Sequence, residues 1–527
     1  MKVAIIGSGL AAVSVAKVLI SRGVKPIVLD IGETLDPLRE ETVKRLSQME
    51  PEDWSDEDRN FISSNPTVHN KKKLPKKLAF GSDYFYGRSI SDAPIVGEDE
   101  LPPLSYAKGG FSVGWGASIL PADDCDIEDW PINNDVLEQY YHLALKDIPY
   151  SARNDGLSEN FEIIKDNNET LKLTKGNISL LEKMKKCNLY SKDNVIFGQA
   201  RLLVQVSNSG SEIGCKYCGH CMSGCVYRSI YKSSHDIDKM VQKGSIEYHS
   251  GCLVTHLNEV GNKVKISYKY KKVGLNEILF DRVFVAAGAV NSTRIVLESK
   301  KIYNKKVLLK SRAGFVAPML RFKRSPIDWP KVNTQPGLFL EFKVNDLSNH
   351  WVHTQLSTPN EIVFKRLKID LTKNNMFQSI KKRLAEHLIV AFCNMHSDHA
   401  KGYELFLQEG IFGEKNGRLI FNREKNDHSD MAIKKTVKKL WEIGKKIGCL
   451  PILPLIQKNT GSYHVGSSMP MKENPENETD TNILGNPLGW KRIHVVDSSI
   501  FPSLPGTTIG LLSMANATRI ATEVELI

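Results

Sequence analysis

The first 30 residues carry the pattern that most constrains how this chain can fold. A short apolar segment leads into a glycine-rich turn, a stretch with helical apolar spacing follows, and a second apolar segment ends at an acid. In order, these parts are residues 3–6, residues 7–9, residues 12–20, residues 26–29 and Asp30. This order predicts a strand, a tight turn, a helix and a second strand parallel to the first.

The small and acidic residues of this unit each have a mechanical role. Gly7 allows the tight turn, Gly9 lets the backbone approach a pyrophosphate at the helix N-terminus, and Ala12 keeps the helix close to the strand. Asp30 stands where an acid binds a ribose hydroxyl. We therefore predict a dinucleotide-binding domain. A cleaved secretory signal is the alternative for the apolar N-terminus, and it leaves Asp30 at this spacing unexplained.

Composition bounds the class of protein. The chain has 527 residues, 41% of them hydrophobic, so it can bury a core and is not disordered as a whole. No stretch approaches ~18 consecutive apolar residues, so we expect no transmembrane helix. The net charge of +11 comes from scattered basic residues, which indicates a solvated surface or a face for anionic substrates such as phosphorylated or lipid-linked sugars. No recognition motif accompanies this charge, so we expect no nucleic-acid partner.

Four of the nine cysteines crowd into one short loop: Cys215, Cys218, Cys221 and Cys225. A chain of this size needs no disulfide staples, so the crowding favours a metal and a reducing, cytoplasmic compartment. The C-x2-C-x2-C-x3-C spacing is that of bacterial iron–sulfur proteins and predicts a 4Fe–4S or 3Fe–4S cluster. Disulfides or inert thiols stay open as alternatives. Zinc also stays open, although zinc sites usually separate their ligand pairs by a longer loop.

Further segments complete a set of motifs that runs from one end of the chain to the other. Residues 107–117 hold four glycines, so their backbone must approach a ligand or another element closely. With these motifs the chain resembles the glucose-methanol-choline (GMC) oxidoreductases, flavoproteins that oxidise alcohols. It looks most like their bacterial branch with a cysteine-rich loop. The matching pieces follow the family's order: residues 7–9, 109–117, 287–292, 463–466 and 496–502.

The resemblance implies FAD as the cofactor and assigns residues to its parts. The residues expected at the pyrophosphate and ribose are Gly7, Gly9 and Asp30. Those expected at the flavin and ribityl chain are Gly109, Gly110, Ser112 and Trp115. Val254 and Ala287 are expected to flank the adenine, Asp497 to bind the ribityl or pyrophosphate region, and Thr508 to lie beside the isoalloxazine. Some relatives attach FAD through a histidine in the glycine-rich loop, and this loop has none, so we expect noncovalent FAD.

The resemblance also implies the chemistry. Alcohol oxidation needs a hydride acceptor, which is the flavin N5, and a base for the hydroxyl proton. His464 matches the family's catalytic histidine. The family's second polar partner, a histidine or asparagine, falls on Thr508, whose hydroxyl cannot act as a base near neutral pH. Either His464 acts alone, or Thr508 orients the substrate hydroxyl.

The predicted fold class is α/β: a Rossmann-type FAD-binding domain built from discontinuous segments, plus an α+β substrate-binding domain with an antiparallel sheet. We assign residues 1–128, 200–305 and 455–527 to the FAD-binding domain, with the cysteine-rich loop at 214–226. Residues 129–199 and 306–454 are assigned to the substrate-binding or cap domain. Within the cap, residues 364–392 alternate basic and apolar side chains, which indicates a half-buried helix or contact with a membrane surface.

The predicted function is an FAD-dependent alcohol dehydrogenase or oxidase that acts on a CH–OH group of a sugar or other polyol. An iron–sulfur cluster would pass electrons singly to a protein or quinone acceptor, and without it oxygen stays open as acceptor. One alternative is a non-catalytic electron-transfer or redox-sensing flavoprotein in which Thr508 marks a lost active site. Another is a flavin reductase or isomerase acting on a carbonyl. The expected location is the cytoplasm, with the inner membrane face as a peripheral site.

Overall fold

A computed structural model describes residues 1–63, 77–97, 101–165, 169–187, 189, 194–271, 273–370, 373, 375–410, 417–424, 428–452, 455–456 and 463–526. In these residues the strands are β1 (Val3–Ile6), β2 (Ile27–Leu29), β3 (Ile95–Gly97), β4 (Val195–Gln199), β5 (Glu247–His249), β6 (Cys252–Val260), β7 (Lys263–Tyr270), β8 (Val273–Phe280), β9 (Arg282–Val285), β10 (Val307–Ser311), β11 (Ala313–Arg321), β12 (Leu338–Val344), β13 (Ser348–Ser357), β14 (Leu388–Met395), β15 (Tyr403–Gln408), β16 (Arg418–Arg423), β17 (Cys449–Pro451), β18 (Leu455–Ile456), β19 (Val465–Gly466) and β20 (Ile493–Val495). The helices are α1 (Leu10–Ser21), α2 (Pro37–Leu46), α3 (Asp56–Ser63), α4 (Asn134–Leu145), α5 (Lys175–Lys186), α6 (Ser233–Gln242), α7 (Ala289–Lys300), α8 (Glu361–Leu367), α9 (Met376–Ala385), α10 (His428–Ile447) and α11 (Ile509–Glu523).

A parallel five-stranded sheet in the order β20–β9–β1–β2–β5 receives both ends of the chain. Every residue of β1 is buried, which is why this strand is an unbroken apolar run. The predicted strand–turn–helix–strand unit is confirmed by β1, α1 and β2, and α1 lies beside the C-terminal helix α11. The sheet therefore joins the N-terminal motif to strands more than 200 residues away in sequence.

A seven-stranded antiparallel sheet has the order β17–β11–β14–β13–β12–β4, with β18 also paired to β11. One face is apolar and packs on α5 and α10 through residues such as Met184 and Leu440. The opposite face carries Phe339 and Trp351, which belong to the same core as the parallel sheet. The second face of the seven-stranded sheet therefore packs against the part of the molecule that contains the parallel sheet.

Two smaller sheets complete the architecture: β19–β10–β15–β16–β3 and β6–β7–β8. The predicted α/β class with a second, antiparallel sheet is confirmed. The division into two domains stays a prediction. The parallel sheet uses only segments assigned to the FAD-binding domain, whereas the sheet containing β3 and β19 combines segments assigned to both domains. No helix in the described ranges is long and apolar enough to cross a membrane.

Candidate cofactor and active site

The glycine-rich turn after β1 combines one closely packed glycine with one that faces open space. Gly7 has a φ of +98°, and a side chain there would collide with the carbonyl oxygen of Ala286 at the end of β9. Only glycine allows this approach of β1 to β9. Gly9 directly precedes α1, and a Cβ at Gly9 would meet no atom within 4 Å. Space is therefore open beside the first amides of α1.

Ser8 joins the N-terminal motif to the glycine-rich loop. Its hydroxyl donates a hydrogen bond to Asp30 Oδ2 and accepts one from the Gly109 N–H at 2.8 Å. Tyr248 also donates to Asp30 Oδ2, at 2.9 Å. Burial raises the pKa of Asp30 to about 6, although the hydrogen bonds from Ser8 and Tyr248 act to lower it. The predicted ribose-binding acid is thus held beside the glycine-rich loop.

The two glycine-rich turns are in contact. A Cβ at Gly110 would meet only the Cα of Gly9, at 3.5 Å. Ser112 Oγ donates to the Gly109 carbonyl at 2.6 Å and accepts from the Ser233 N–H at 3.0 Å, so its hydroxyl stabilises the loop itself.

Trp115 extends from the same loop towards the last helix. Its indole N–H donates to the Tyr231 carbonyl at 2.7 Å. Its ring lies so close to α11 that a Cβ at Gly510 would be 2.8 Å from ring atom Cζ3. The glycine-rich loop is therefore packed between α1 and α11.

Asp497 ties the end of β20 to the start of α7. Its carboxylate accepts hydrogen bonds from the Gly288 N–H at 2.9 Å and from Ser292 Oγ at 2.5 Å. Its other oxygen accepts from the N–H and Oγ of Ser499. Burial raises the pKa of Asp497 above its ordinary value, although these hydrogen bonds act to lower it. Because both oxygens are occupied within the protein, the side chain acts as a positioning group, and the predicted cofactor contact of Asp497 stays a prediction.

Val254 and Ala287 occupy neighbouring positions around α7. Val254 is buried on β6, and its carbonyl accepts a hydrogen bond from Arg294 of α7 at 2.9 Å. Ala287 precedes α7, and its N–H donates to Ser292 Oγ at 3.1 Å. Strand β6 begins next to β2, because the Cys252 N–H donates to the Asp30 carbonyl at 2.8 Å. The predicted adenine-flanking residues therefore lie near the predicted ribose-binding acid.

Three helices begin at this edge without a side-chain cap. The residues that precede α1, α7 and α11 are Gly9, Gly288 and Thr508, and none of them caps its helix through its side chain. The first amides of a helix bind anions such as phosphate, and the helix dipole adds to this. With the open space at Gly9 and Gly288 and the acid at Asp30, the residues present fit a pyrophosphate and a ribose, as FAD requires.

His464 lies next to the glycine-rich loop. The hydroxyl of the preceding residue, Tyr463, is 2.9 Å from the Tyr86 hydroxyl, and its ring centroid is 5.9 Å from that of Phe111. Burial lowers the pKa of His464 well below its ordinary value, and the charges of Arg312 and His353 lower it further. The imidazole is therefore neutral at pH 7 and can accept a proton.

Arg312, which lies outside the motifs found in the sequence, links the segment of His464 to the turn before Thr508. Its backbone N–H approaches the His464 carbonyl at 3.4 Å, and its guanidinium donates to the carbonyls of Gly506, at 2.7 Å, and Thr507. Burial lowers the pKa of Arg312 to about 9. The signal in the sequence is a lone arginine between two apolar strands, β10 and β11.

Thr508 keeps one hydrogen-bond donor. Its hydroxyl oxygen accepts from the Leu120 N–H at 3.0 Å, and the side chain is buried directly before α11. The hydroxyl proton can still be donated. Thr508 can thus donate a hydrogen bond to a substrate oxygen, in agreement with an orienting role.

The four clustered cysteines lie beside two backbone or amide donors. Cys215 Sγ accepts from the Asn333 amide at 3.5 Å, and Cys221 Sγ from the Thr334 N–H at 3.4 Å. All nine cysteines lie in the described ranges and are free thiols, so the four clustered cysteines form no disulfide in this structure. A single zinc ion would hold its sulfurs within about 4.6 Å of one another. No three of these described thiols come within 4.8 Å of one another, so they do not form a compact single-ion site.

Two buried lysines flank the thiols. Burial lowers the pKa of Lys77 and lowers that of Lys232 to about 8, and ionisation of the nearby cysteines would act in the opposite direction. Burial also raises the pKa of Cys218 to about 12 and raises that of Cys221 well above its ordinary value. Without an added cation the buried thiols stay protonated.

Comparison with known proteins bears on the fold. No family model matches the chain, and no curated protein matches it. Among solved structures, the crystal structure of pyridoxine 4-oxidase from Mesorbium loti is similar, with a TM-score of 0.62, 13% sequence identity, and coverage of 99% of this chain and 98% of that one. This likeness extends over nearly the whole of both chains and shows that they share a fold.

Proposed function

We propose that the chain is an FAD-dependent oxidoreductase of the GMC type that oxidises a CH–OH group of a sugar or other polyol. The observation that carries the proposal is the arrangement of His464, Arg312 and Thr508 next to two contacting glycine turns. A fold shared with an enzyme named pyridoxine 4-oxidase supports it. The scattered positive charge favours an anionic or lipid-linked substrate.

The chain's own groups would divide the work. Bound FAD supplies a hydride acceptor. The glycine turns and the first amides of α1 would hold its pyrophosphate, and Asp30 its ribose. His464, neutral because it is buried, would take the proton of the substrate hydroxyl. Thr508 would donate a hydrogen bond to the substrate oxygen, and Arg312 would hold the Gly506–Thr507 turn against the segment of His464.

The decisive experiment is the His464→Asn variant. Removing a general base slows the chemical step by roughly 100- to 10,000-fold, so flavin reduction by the best alcohol in a screen of sugars and polyols should slow by that factor. FAD content should not change. His142→Asn, an exposed histidine on α4, is the matched control and should react normally.

The same screen separates the alternatives. A non-catalytic electron-transfer or sensing protein would bind FAD and respond to no alcohol. A reductase or isomerase would act on the carbonyl compound instead. Normal turnover of His464→Asn would remove His464 from the mechanism.

For the cysteine-rich loop we propose a 4Fe–4S or 3Fe–4S cluster that passes electrons to a protein or quinone. Such a cluster with thiolate ligands is anionic, and Lys77 and Lys232 supply buried positive charge beside it. The loop is also close to the glycine-rich loop. Asn333 and Thr334 contact the thiols, and Gln335 donates to the Gly116 carbonyl. These three consecutive residues span at most about 11 Å, so the thiols that they contact lie near the glycine-rich loop.

Iron and sulfide measured against flavin in anaerobically purified protein test the cluster. Three or four irons per flavin are expected. Flavin without iron would reduce the four cysteines to plain thiols and favour oxygen as acceptor.

We further propose a cytoplasmic location with peripheral contact to an anionic membrane through α9. Four large apolar side chains on this helix are exposed, with fractions of 82% for Met376, 66% for Phe377, 50% for Ile380 and 60% for Leu384. Their spacing places them in a stripe about 100° wide. Lys381, Lys382 and Arg383 on the same helix favour anionic lipid.

Co-sedimentation with vesicles tests this contact. Binding should be stronger to vesicles with anionic lipid than to neutral ones, and Phe377→Ser with Ile380→Ser should weaken it at least tenfold. Leu143→Ser, which removes an exposed leucine on α4, is the control. Equal binding by both variants would remove α9 from the interface.

A further inference from the structure

A cluster of two histidines and an aspartate lies where three segments meet. His350 belongs to the start of β13, and His396 and Asp398 flank the start of the short 3-10 turn Ser397–His399 that follows β14. One ligand atom from each of the three residues lies within 4.8 Å of the other two. Asp398 Oδ2 is 3.8 Å from His350 Nε2 and 3.5 Å from His396 Nδ1. The two imidazole rings stack, with centroids 3.8 Å apart.

The backbone fixes which nitrogen of each ring carries a proton. His350 Nδ1 is 2.7 Å from the Cys125 carbonyl, and His396 Nε2 is 3.2 Å from the Asp126 carbonyl. A carbonyl oxygen only accepts, so these two nitrogens are the donors. The Asp398 N–H points at His396 Nδ1 at 3.3 Å, which independently marks that nitrogen as the acceptor. The lone pairs of His350 Nε2 and His396 Nδ1 are therefore the ones that face Asp398.

Two lone pairs and a carboxylate oxygen this close together repel one another unless a proton or a metal ion lies between them. Metal-binding histidines usually donate their other N–H to a backbone carbonyl or carboxylate, and both histidines do so here. Two imidazoles and one carboxylate are a ligand set for transition metals such as zinc. We propose that His350, His396 and Asp398 bind a divalent transition-metal ion of the zinc type.

The spacing and exposure suit such an ion. Ligand atoms at about 2.1 Å from a tetrahedral zinc lie about 3.4 Å apart, close to the measured 3.5 and 3.8 Å. The two rings are stacked at 19° from parallel, so they would rotate to bring both lone pairs onto one ion. The side chain of Asp398 is 49% exposed, whereas those of His350 and His396 are 10% and 1% exposed. The ion would enter from the side of Asp398, where water can complete the coordination.

The surrounding groups leave this role open to a cation. Lys310 lies 3.6 Å from Asp398 Oδ1, the oxygen that faces away from the histidine contacts. Asp126 is buried, with Oδ1 3.7 Å from His350 Nδ1. His399 Nε2 is hydrogen-bonded to the Ser348 hydroxyl at 2.7 Å, and His399 does not belong to the proposed ligand set. The alternative to a metal ion in this cluster is a proton carried by one of the two rings and shared within the cluster.

A bound ion would stabilise the turn that leads to Thr508. The Ser397 N–H donates to the Leu504 carbonyl at 2.9 Å, and the Leu504 N–H donates to Ser397 Oγ at 3.0 Å. The ion would therefore join β13, the turn after β14 and the segment before α11. This structural role does not depend on the proposed oxidation chemistry.

The chain offers a comparison within itself. Glu138, His142 and Glu162 also bring ligand atoms within 4.8 Å of one another, but all three residues are exposed. Exposed side chains of this kind lose more conformational freedom on binding an ion. We use His142→Gln as the matched control.

Zinc titration of the flavin-loaded full chain, after removal of metals with a chelator, tests the site. Calorimetry should detect an ion whose affinity falls roughly 100-fold in His350→Gln and in Asp398→Asn and is unchanged in His142→Gln. Ions taken up by the four-cysteine loop are retained in every variant and cancel in the difference. Zinc should also raise the melting temperature followed by circular dichroism, and magnesium should not.

Asp398→Asn guards against a folding defect, because this side chain is half exposed and its replacement disturbs no core. Equal zinc affinity in wild type and both variants would overturn the proposal. So would an absence of this ion together with a melting temperature that changes more between pH 5 and 7 in wild type than in His350→Gln, since that difference assigns the cluster to a proton.

Discussion

The cofactor edge of the parallel sheet and the polar face of the seven-stranded sheet are built on different principles. At the edge, Gly7, Gly9 and Asp30 come from one short stretch of chain; the glycines act through backbone amides and the absence of a side chain, and Asp30 through its carboxylate. On the face, Glu341, His353 and Asn394 come from three strands and meet only through the pairing register. The first kind of site is local in sequence, and the second exists only after long-range pairing.

The two regions also differ in what stabilises them. On the sheet face, Gln355 donates to His353 Nε2 at 3.1 Å, and His353 Nδ1 donates to Glu341 at 2.7 Å; Glu341 and His353 are fully buried and Gln355 is partly buried. At the cofactor edge, open space lies beside Gly9 and Gly288, next to the first amides of α1 and α7. Substitutions on the face should therefore unfold the protein, whereas those at the edge should release the cofactor.

The largest effect is expected for Glu341→Ala. Removing one partner of a buried hydrogen bond costs about 1–3 kcal/mol, and more when that partner is a carboxylate, because the His353 N–H is left without its acceptor. Urea unfolding should report this loss for Glu341→Ala and a clearly smaller one for Glu341→Gln, which keeps an acceptor for His353. Equal losses for the two variants would mean that side-chain volume, not the hydrogen bond, stabilises the face.

The next largest effect is a dependence of stability on pH, which arises from Asp30 at the cofactor edge. Burial raises the folded-state pKa of Asp30 from 3.8 to about 6. The stability that this group contributes is therefore complete below pH 3.8 and is lost as pH rises through about 6. The full change is at most about 3 kcal/mol. Unfolding of FAD-free protein between pH 4 and 7 should show this decline, and Asp30→Asn should remove that part of it. Asp126 and Glu361, whose pKa values are also raised to about 7, contribute to both proteins and cancel in the difference.

How far the sequence predicts the structure follows the same division. The unit β1–α1–β2 could be predicted because a turn, an apolar period and an acid lie within one short segment. The row of Glu341, His353 and Asn394 could not, because each is an ordinary strand residue until the register pairs it with the others. Arg312 is intermediate: its charge inside an apolar stretch is visible, but its partners Gly506 and Thr507 are almost 200 residues away.

The roles of Asp497 and Ser112 also depend on tertiary structure. Both lie in motifs that the sequence identifies, yet their side chains bond within the protein and position α7 and the glycine-rich loop. A motif identifies the segment that approaches a ligand, whereas the folded structure decides whether the backbone or the side chain makes the contact.

A matched pair of glycine substitutions tests whether stability and cofactor binding can be separated within the cofactor edge. Gly7→Ala places a side chain against the Ala286 carbonyl at a positive φ and should cost about 1–3 kcal/mol of stability. Gly9→Ala adds a methyl group where the FAD-free protein has open space, so urea unfolding should be nearly unchanged. FAD affinity, followed by flavin fluorescence, should nevertheless fall at least tenfold. If Gly9→Ala binds FAD normally, the pyrophosphate does not lie beside α1.

The smallest effect is expected at Thr508, where the edge and the sheet-covered half meet. Thr508→Val keeps the volume but removes the acceptor of the buried Leu120 N–H, which should cost about 1 kcal/mol. Thr508→Ser keeps both the acceptor and the donor and should lose little. If the hydroxyl also orients substrate, the valine variant should have a raised KM for the best alcohol while the serine variant keeps the wild-type value. Equal KM values for all three proteins would confine Thr508 to the structure of the turn and leave His464 as the acting polar group, since a hydrogen bond to Leu120 alone acts on folding and not on substrate.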